Sequence, residues 1–490
     1  MAAVLLTIVL ALEGLYCFVV FTDIPAIKSL REAYIETAMN TLSHQWLAKW
    51  FLPSYMIDEV VARQDQARKD QEGKISTWDK ISASDATDKN GETVAPTEPN
   101  AQTDEERFYE LFWELDRISF EDYVSAHPDV TANGWDNIYI NEAGLNDDGT
   151  DIYTAMGERV LAVDAKNKIL LVRVEGSGYQ GVLAIAKDPS QLYNAPSAYI
   201  GSWGQQLEAI ASAHDAVLGM TGSGFIDPDG NGSGGELAGY AMSQGESYGE
   251  HYVVTGYKRV ELRESNLLYV TDASAPVAAD TTDAVEFWPA LVVDGEPAVE
   301  NYEAFNGIQP RACIGQSEKK EILMLVIEGR MPTRSYGTTI ETCTDILMRH
   351  KAYQALNLDG GTSAVLWYDG EYVTKCSNTS ITSRMLPNAW LYGGDGAGQY
   401  YFGSHSAACP AHAAVFSAFV EFVRGNRAAW RHFVRKPVEI HVDIPQEYRY
   451  NTVRIRELRF AADFPLPGGK IVIFLRLPAD ASKQWKGFLQ

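Results

Sequence analysis

The chain has little of what several protein classes require. Five cysteines in 490 residues cannot staple a disulfide scaffold. No two of them form a Cys-x-x-Cys pair, which removes the zinc-ribbon spacing. Basic residues are scarce: 41 Lys and Arg stand against 65 Asp and Glu, a net charge of −24. A nucleic-acid backbone is bound by a basic face, so no nucleic-acid partner is expected. The His-Glu-x-x-His zinc motif, the Walker loop and a strand-borne Gly-x-Gly-x-x-Gly fingerprint are all missing. Gly222-Ser223-Gly224 lacks the flanks of a nucleophile elbow, and His214 and His251 have no Ser/Asp context for a triad.

What is present reads as a globular protein with a tether. A hydrophobic share of 46% and an aromatic share of 11% exclude a wholly disordered or fibrous chain. The length accommodates about three domains. Residues 2–22 carry one charge, Glu13, and are long enough to span hydrocarbon. Glu13 at mid-span costs roughly 2.5–3.5 kcal/mol on insertion scales. A cleaved signal peptide would need a basic start and a small-residue cleavage site, and neither is evident. Residues 1–23 are therefore expected to be a transmembrane anchor. Residues 24–63 follow as a juxtamembrane helical region. Its Trp46, Trp50, Phe51 and Tyr55 suit either a membrane interface or an ordinary amphipathic helix. Residues 64–105 are polar and read as a disordered linker.

Residues 106–395 form the expected main domain. Residues 160–174 alternate around Ala165-Lys166-Asn167-Lys168, a hairpin by period and turn chemistry. Residues 205–214 have helical spacing. Asp369-Gly370 between apolar runs is a type I′ hairpin signal. Residues 396–490 change character. Between Tyr401 and Gln490 there are 13 basic and 7 acidic residues, which leaves −30 for the remainder. This is either a basic tail or a small appended domain, with strand-like runs at 438–444 and 471–477.

The candidate site lies in residues 321–371. The run Ile322-Leu323-Met324-Leu325-Val326-Ile327 reads as a strand buried on both faces, ending in Glu328-Gly329-Arg330. Thr338 or Thr339 caps a helix through His350. A second strand ends in Asn357-Leu358-Asp359-Gly360-Gly361-Thr362-Ser363. Strand, helix, strand reads as a βαβ unit with parallel strands sharing a carboxyl edge, where ligands collect. The expected fold class is mixed α/β, with a central mixed sheet whose βαβ unit carries the site. Were the two strands neighbours, about 4.8 Å apart, Glu328 and Asp359 would lie roughly 5–9 Å apart. That suits a glycosidase carboxylate pair, and equally two turn acids capping backbone amides. Arg311 and Arg330 offer planar guanidinium groups that can hold a phosphate diester or form surface ion pairs. Asp227, Asp229 and Asn231 fit positions 1, 3 and 5 of a calcium loop, but position twelve is Ala238. A sharp acidic turn lining the cleft is the competing reading.

Three segments, in order, carry a resemblance. They are Gln309-Pro310-Arg311-Ala312-Cys313-Ile314-Gly315, then Leu325-Val326-Ile327-Glu328-Gly329-Arg330, then Leu356-Asn357-Leu358-Asp359-Gly360-Gly361-Thr362-Ser363. Lys375-Cys376-Ser377-Asn378 and Arg384-Met385-Leu386-Pro387-Asn388-Ala389 follow. Together they resemble the phosphodiester glycosidase family over residues 155–392, and the anchor-plus-linker layout resembles bacterial members related to exopolysaccharide. The resemblance implies hydrolysis of a sugar-1-phosphodiester, with release of the sugar and a phosphomonoester. It implies a single-pass cell-membrane protein with its domain outside the cytoplasm, against the weak charge signal of Lys28 and Arg31. Asp359 and Glu328 are then the expected catalytic carboxylates. Arg311, Arg330, Asn357, Gly360, Gly361, Thr362, Ser363 and Asp227 are the expected substrate contacts. Calcium is the one cofactor considered. Thr221-Gly222-Ser223 and Ala312 depart from the family's usual residues. A non-catalytic domain that binds glycan phosphates is the alternative, and a P–O-cleaving phosphodiesterase is a third reading.

Overall fold

The computed structural model describes residues 1–41, 44–79, 102–146, 149–249, 254–394, 439–443, 455–456, 462–466 and 469–475. The chain divides into two units, Met1–Tyr400 and Tyr401–Gln490. Within the second, four strands form an antiparallel sheet: Glu439–Asp443, Ile455–Arg456, Ala462–Leu466 and Gly469–Leu475. Two of them fall on the strand-like runs read from sequence. Cys409 and the rest of the 396–438 stretch lie outside the described residues.

In the first unit a nine-stranded sheet and two five-stranded sheets stack, a mixed helix-and-strand architecture. Four strands at the centre of the large sheet position the site. They are β1 (Tyr179–Ala186), β2 (Arg311–Ser317), β3 (Ile322–Ile327) and β4 (Ala352–Asn357), in spatial order β1-β3-β2-β4. Alternation along β3 sends Leu323, Leu325 and Ile327 to one face and Ile322, Met324 and Val326 to the other, and both sets are buried. The first face packs on a helical layer holding Phe108, Phe112 and Phe120. It also packs on the helix Ile340–Arg349, whose Ile340, Cys343, Ile346 and Leu347 point inward and whose N-cap Thr339 accepts from the Thr342 amide. The second face packs on the two smaller sheets through residues such as Met220, Val260, Leu366 and Trp390. The hairpins over residues 160–174 and around Asp369-Gly370 form as read. Both turn residues of the latter have positive φ, 48° and 88°.

One expectation changes here. β3 and β4 run parallel and are joined by a helix, but they are not neighbours. β2 lies between them and pairs antiparallel with both, Arg311 opposite Ile327 and Cys313 opposite Asn357. Every strand pairing among the described residues is antiparallel. Helical periodicity fixes the crossover but carries no information on which strand fills the gap.

Four helices precede the domain: α1 (Ala2–Phe21), α2 (Pro25–Met39), α3 (Trp46–Phe51) and α4 (Ser54–Lys69). α1 is the one described helix long and apolar enough to cross a membrane. Helices α2 to α4 share a small core of Ile35, Ala38, Ala48, Ile57 and Val60. A two-bonded ion pair, Arg63 to Glu32 at 2.9 Å on each bond, ties α4 to α2.

The linker expectation is corrected over residues 64–78. Helix α4 runs to Lys69, and the chain then lies along the sheets. The Gln71 amide brackets Ala290, donating to its carbonyl at 2.8 Å and accepting from its N–H at 3.0 Å. Ser76 N–H bonds the Val270 carbonyl at 2.9 Å. Trp78 is 2% exposed and donates its indole N–H to the Leu268 carbonyl at 2.8 Å. The polar composition hid this because the segment is held by sheet-edge hydrogen bonds and one aromatic anchor. Residues 80–101 lie outside the described set.

If residues 71–78 belong to the fold, Trp78→Ala should cost about 3–5 kcal/mol of stability, the usual loss for a buried Trp. Denaturant unfolding of the full chain in detergent measures it. An unchanged midpoint would mean the segment is a loose tether.

Candidate active site

The site forms where β3 and β4 end and β2 begins. After β4 the chain turns sharply over the start of β2. Leu358 N–H donates to the Ala312 carbonyl at 2.8 Å, and Gly361 N–H to the Pro310 carbonyl at 3.0 Å. Both glycines of the turn are required by this contact. A Cβ at Gly360 would stand 2.7 Å from the Pro310 carbonyl oxygen. Gly361 has φ +61°, and a Cβ there would meet the Arg330 guanidinium at 3.3 Å.

Asp359 sits in this turn, half-buried. Desolvation pushes its carboxyl up to about 6, against the Ser363 hydroxyl, the Arg384 charge and the Gly360 amide, which favour the ionised form. The Asp227 charge adds to the upward push, so the two acids share one electrostatic site. Asp227 itself is gripped by Arg384 through two bonds of 2.6 and 2.5 Å and accepts from the Gly232 amide. Arg384 stacks over Phe225, 4.6 Å from the ring centre. In this loop the Asp227 oxygens face Arg384. Among the described residues no group of three His, Cys, Asp or Glu is placed to hold a metal ion. The Asp229 side chain lies outside the described set.

Glu328 does not join Asp359. It is 1% exposed and bonded by Arg334 through both oxygens, one bond at 2.9 Å, and by the Lys375 N–H at 2.8 Å. With β2 standing between the strands, the expectation of a neighbouring Glu328–Asp359 pair is corrected. Glu328 is an internal clamp that fastens residues 334 and 375 to the end of β3. Asn357 is likewise committed inward: it is 2% exposed and donates to the Trp288 carbonyl at 2.7 Å. Ser363 is buried and serves Asp359, and the Thr362 carbonyl accepts from the Cys376 thiol. Cys313, Cys343 and Cys376 are buried free thiols.

Arg311 and Arg330 do meet at the site. Arg311 is held by the carbonyls of Thr338, 3.2 Å from Nε, and Gly307, 2.7 Å from Nη2. Arg330 adopts φ +59° after Glu328-Gly329, which brings its guanidinium to Gly361. Burial lowers both arginines from their ordinary value. Their mutual repulsion lowers Arg330 further, and Asp359 offsets part of this.

The N-terminal helices reach this same cluster, which the sequence reading missed. Arg330 Nη2 donates to the Thr41 hydroxyl at 2.9 Å. Glu36 on α2 is 1% exposed, accepts from the Gly307 N–H at 2.7 Å and lies within electrostatic range of Arg311. Burial pushes its carboxyl up to about 7. A glutamate between Ile35 and Ala38, on the apolar face of an otherwise amphipathic helix, was the available signal. Tyr257 was also missed. Burial raises its phenol, the Asp359 charge raises it further, and Arg68 of α4 opposes. Arg68 itself lies over the Trp288 ring at 3.7 Å. The departing segment 221–223 is fastened by Asn388, which accepts from the Ser223 N–H at 2.8 Å and donates to its hydroxyl at 2.7 Å.

Three comparisons bear on this geometry. Residues 214–392 match the family described as phosphodiester glycosidase. No curated protein matches the chain. Among solved structures, one similar chain is the catalytic domain of zebrafish N-acetylglucosamine-1-phosphodiester alpha-N-acetylglucosaminidase, auto-inhibited by its pro-peptide. It is 14% identical over 54% of this chain and 90% of that one, with a TM-score of 0.37. A hypothetical protein from Synechocystis is 15% identical over 49% of this chain and 65% of that one, with a TM-score of 0.33.

If Glu328 is a clamp, removing its partner should cost more than removing the pair. Arg334→Ala leaves a buried unpaired carboxylate and should destabilise by about 3–5 kcal/mol. Adding Glu328→Gln to that variant should recover much of the loss. Additive losses in a thermal or denaturant series would instead mean that the two side chains act independently.

Proposed function

We propose that residues 214–392, which match the phosphodiester glycosidase family, hydrolyse the C1–O bond of a sugar-1-phosphodiester on a phosphorylated glycan. The observation that carries this reading is one juxtaposition. A carboxyl tuned to about 6 stands in a glycine turn against the Arg330 guanidinium, with Arg311 alongside. Two cations set beside one carboxylate suit a substrate whose charge is a phosphate and whose reacting atom is an electron-poor carbon.

In this mechanism the arginines take the phosphodiester oxygens through paired charge-assisted bonds. The phosphomonoester is a good leaving group, so little acid assistance is needed. Asp359, ionised, acts at the anomeric carbon as base toward water or as nucleophile, and Ser363 orients it. Asp227, whose oxygens are taken by Arg384 and the Gly232 amide, serves to hold the Arg384 charge near Asp359 and is not a second reacting acid. With α1 as a membrane span, the domain works outside the cytoplasm on surface glycan.

The full chain, incubated with alkyl phosphodiesters of hexose and N-acetylhexosamine 1-phosphates, should release reducing sugar and alkyl phosphate. In oxygen-18 water the label should enter the sugar. Label in the phosphate would identify a P–O phosphodiesterase, and retention of glycan without release would identify a binding domain. Asp359→Asn should lower turnover roughly 10²–10⁴-fold, the usual worth of a positioned base.

The acidic limb of kcat/KM should rise as pH increases through about 6, where Asp359 ionises. Stability moves the other way. A carboxyl held above its unfolded value of 3.8 binds its proton more tightly when folded, so stability falls as pH rises from about 4 to about 6. Asp359→Asn should therefore melt higher than the parent above pH 6 and alike below pH 4. A variant that melts lower at every pH would show that the carboxylate supports the fold instead.

On this reading Thr41 takes up one Arg330 donor that a phosphate would otherwise use. Thr41→Ala removes one neutral hydrogen bond worth about 1 kcal/mol, and KM should fall roughly fivefold with kcat unchanged. An unchanged KM would place the phosphate elsewhere.

A further inference from the structure

The first 60 residues bear an apolar surface that neither the fold nor the site uses. Trp46, Trp50, Phe51 and Tyr55 are 43%, 76%, 53% and 59% exposed. Their neighbours Ala48, Ile57 and Val60 fill the small core of the helical segment, so these aromatics point away from it. Trp46 and Trp50 lie one helical turn apart with ring centres 5.1 Å from each other, forming a continuous face on α3. An ordinary amphipathic helix would turn such residues inward.

The height of this face is set by contacts to α1. The Tyr16 hydroxyl donates to the Phe51 carbonyl at 2.7 Å. The Tyr34 hydroxyl donates to the Leu47 carbonyl at 3.0 Å, joining α3 to α2. Arg31 on α2 donates to the carbonyls of Val19 and Thr22 at 3.0 and 3.1 Å, satisfying the C-terminal end of α1. α1 is about 30 Å long at 1.5 Å per residue, the thickness of the hydrocarbon layer. Tyr16 lies five residues before its last residue, Phe21, which is about 7.5 Å along the axis. Phe51 is therefore pinned about 7 Å inside the end of the span, within the 5–10 Å depth at which interfacial helices lie.

We propose that α3 and the start of α4 form an aromatic plate seated in the headgroup–acyl boundary of the bilayer that α1 crosses. The plate is a second membrane contact, and its occupant is phospholipid. Continuity with the apolar span favours lipid over a second copy of the chain or another protein. Tryptophan and tyrosine prefer this layer because their rings are apolar and their N–H and O–H groups remain wet. Two contacts prevent rotation about α1, so the plate fixes the orientation of the helices that carry Thr41 and Glu36 to the arginines.

The test uses the full chain in phosphatidylcholine–phosphatidylglycerol vesicles, after flotation has shown that it co-migrates with lipid. Indole fluorescence is quenched with lipids brominated either near the headgroup or deep in the acyl chain. Shallow bromines should quench more than deep ones. The double variant Trp46→Phe/Trp50→Phe keeps the apolar bulk and should lose most of that quenching. Quenching that is equal in parent and variant, or absent from both, would put the plate in water and overturn the proposal. Failure to float would overturn it as well. Quenching that appears only on dilution would assign the face to a second copy, also against it. None of these readouts depends on whether the chain hydrolyses a phosphodiester.

Discussion

Insertion of β2 between β3 and β4 is the constraint on which the rest of the site depends. It places the Pro310 carbonyl under the Gly360-Gly361 turn, and two backbone hydrogen bonds then hold Asp359 at a sheet edge. It also puts Arg311, the first residue of β2, between the ends of its two flanking strands. An antiparallel neighbour starts where parallel strands finish, so one edge collects the end of β3, the end of β4 and the beginning of β2. A true parallel pair would have left the two acids adjacent and given the arginine no place.

Burial then decides what each charge can do. Two guanidinium groups set beside each other, Arg311 half-buried and Arg330 exposed, repel unless carbonyls, carboxylates or an anion compensate. Arg311 is compensated by two carbonyls, and Arg330 by one neutral hydroxyl and the Asp359 charge. Arg330 is the less satisfied of the two and gains most from an incoming anion. Glu328 shows the opposite case. It is far more deeply buried, 1% exposed against a half-buried Arg311 and an exposed Arg330, and Arg334 and a backbone N–H meet its oxygens.

The local pattern was legible where one element carries its own signal. The six apolar residues of β3, the capped helix from Ile340, the Asp369-Gly370 turn and the Asp359-Gly360-Gly361 edge could all be read without long-range information. Arg330 lies within electrostatic range of Arg311 and Asp359, and Asp359 within that of Asp227. The rest was hidden for specific physical reasons. Strand order depends on pairing between residues far apart in sequence, which periodicity does not encode. Glu328 and Arg334 meet because a turn folds the chain back, and a separation of six residues does not announce a bond. The segment ending at Trp78 is polar, and its order comes from edges of sheets formed 190 residues later. Glu36 was the readable anomaly, a carboxylate on an apolar helix face.

On the proposed reading, the Thr41 contact at Arg330 would not prevent turnover, because the competing contacts are unequal. The Thr41 hydroxyl is neutral, and a hydrogen bond of this kind is worth about 1 kcal/mol net, whereas a charged acceptor is worth about 1.5–3. On the proposed reading, a phosphodiester, whose two non-bridging oxygens share one negative charge, would outcompete Thr41 at Arg330 by a margin of that order. Glu36 does not restore the balance, because burial raises its carboxyl to about 7 and half of it is neutral near that pH. The helices that carry these contacts also hold a small core of their own, Ile35, Ala38, Ala48, Ile57 and Val60. A cap with stronger anionic contacts would have locked the site. One with none would have left Arg330 with the Asp359 charge but without the Thr41 hydroxyl.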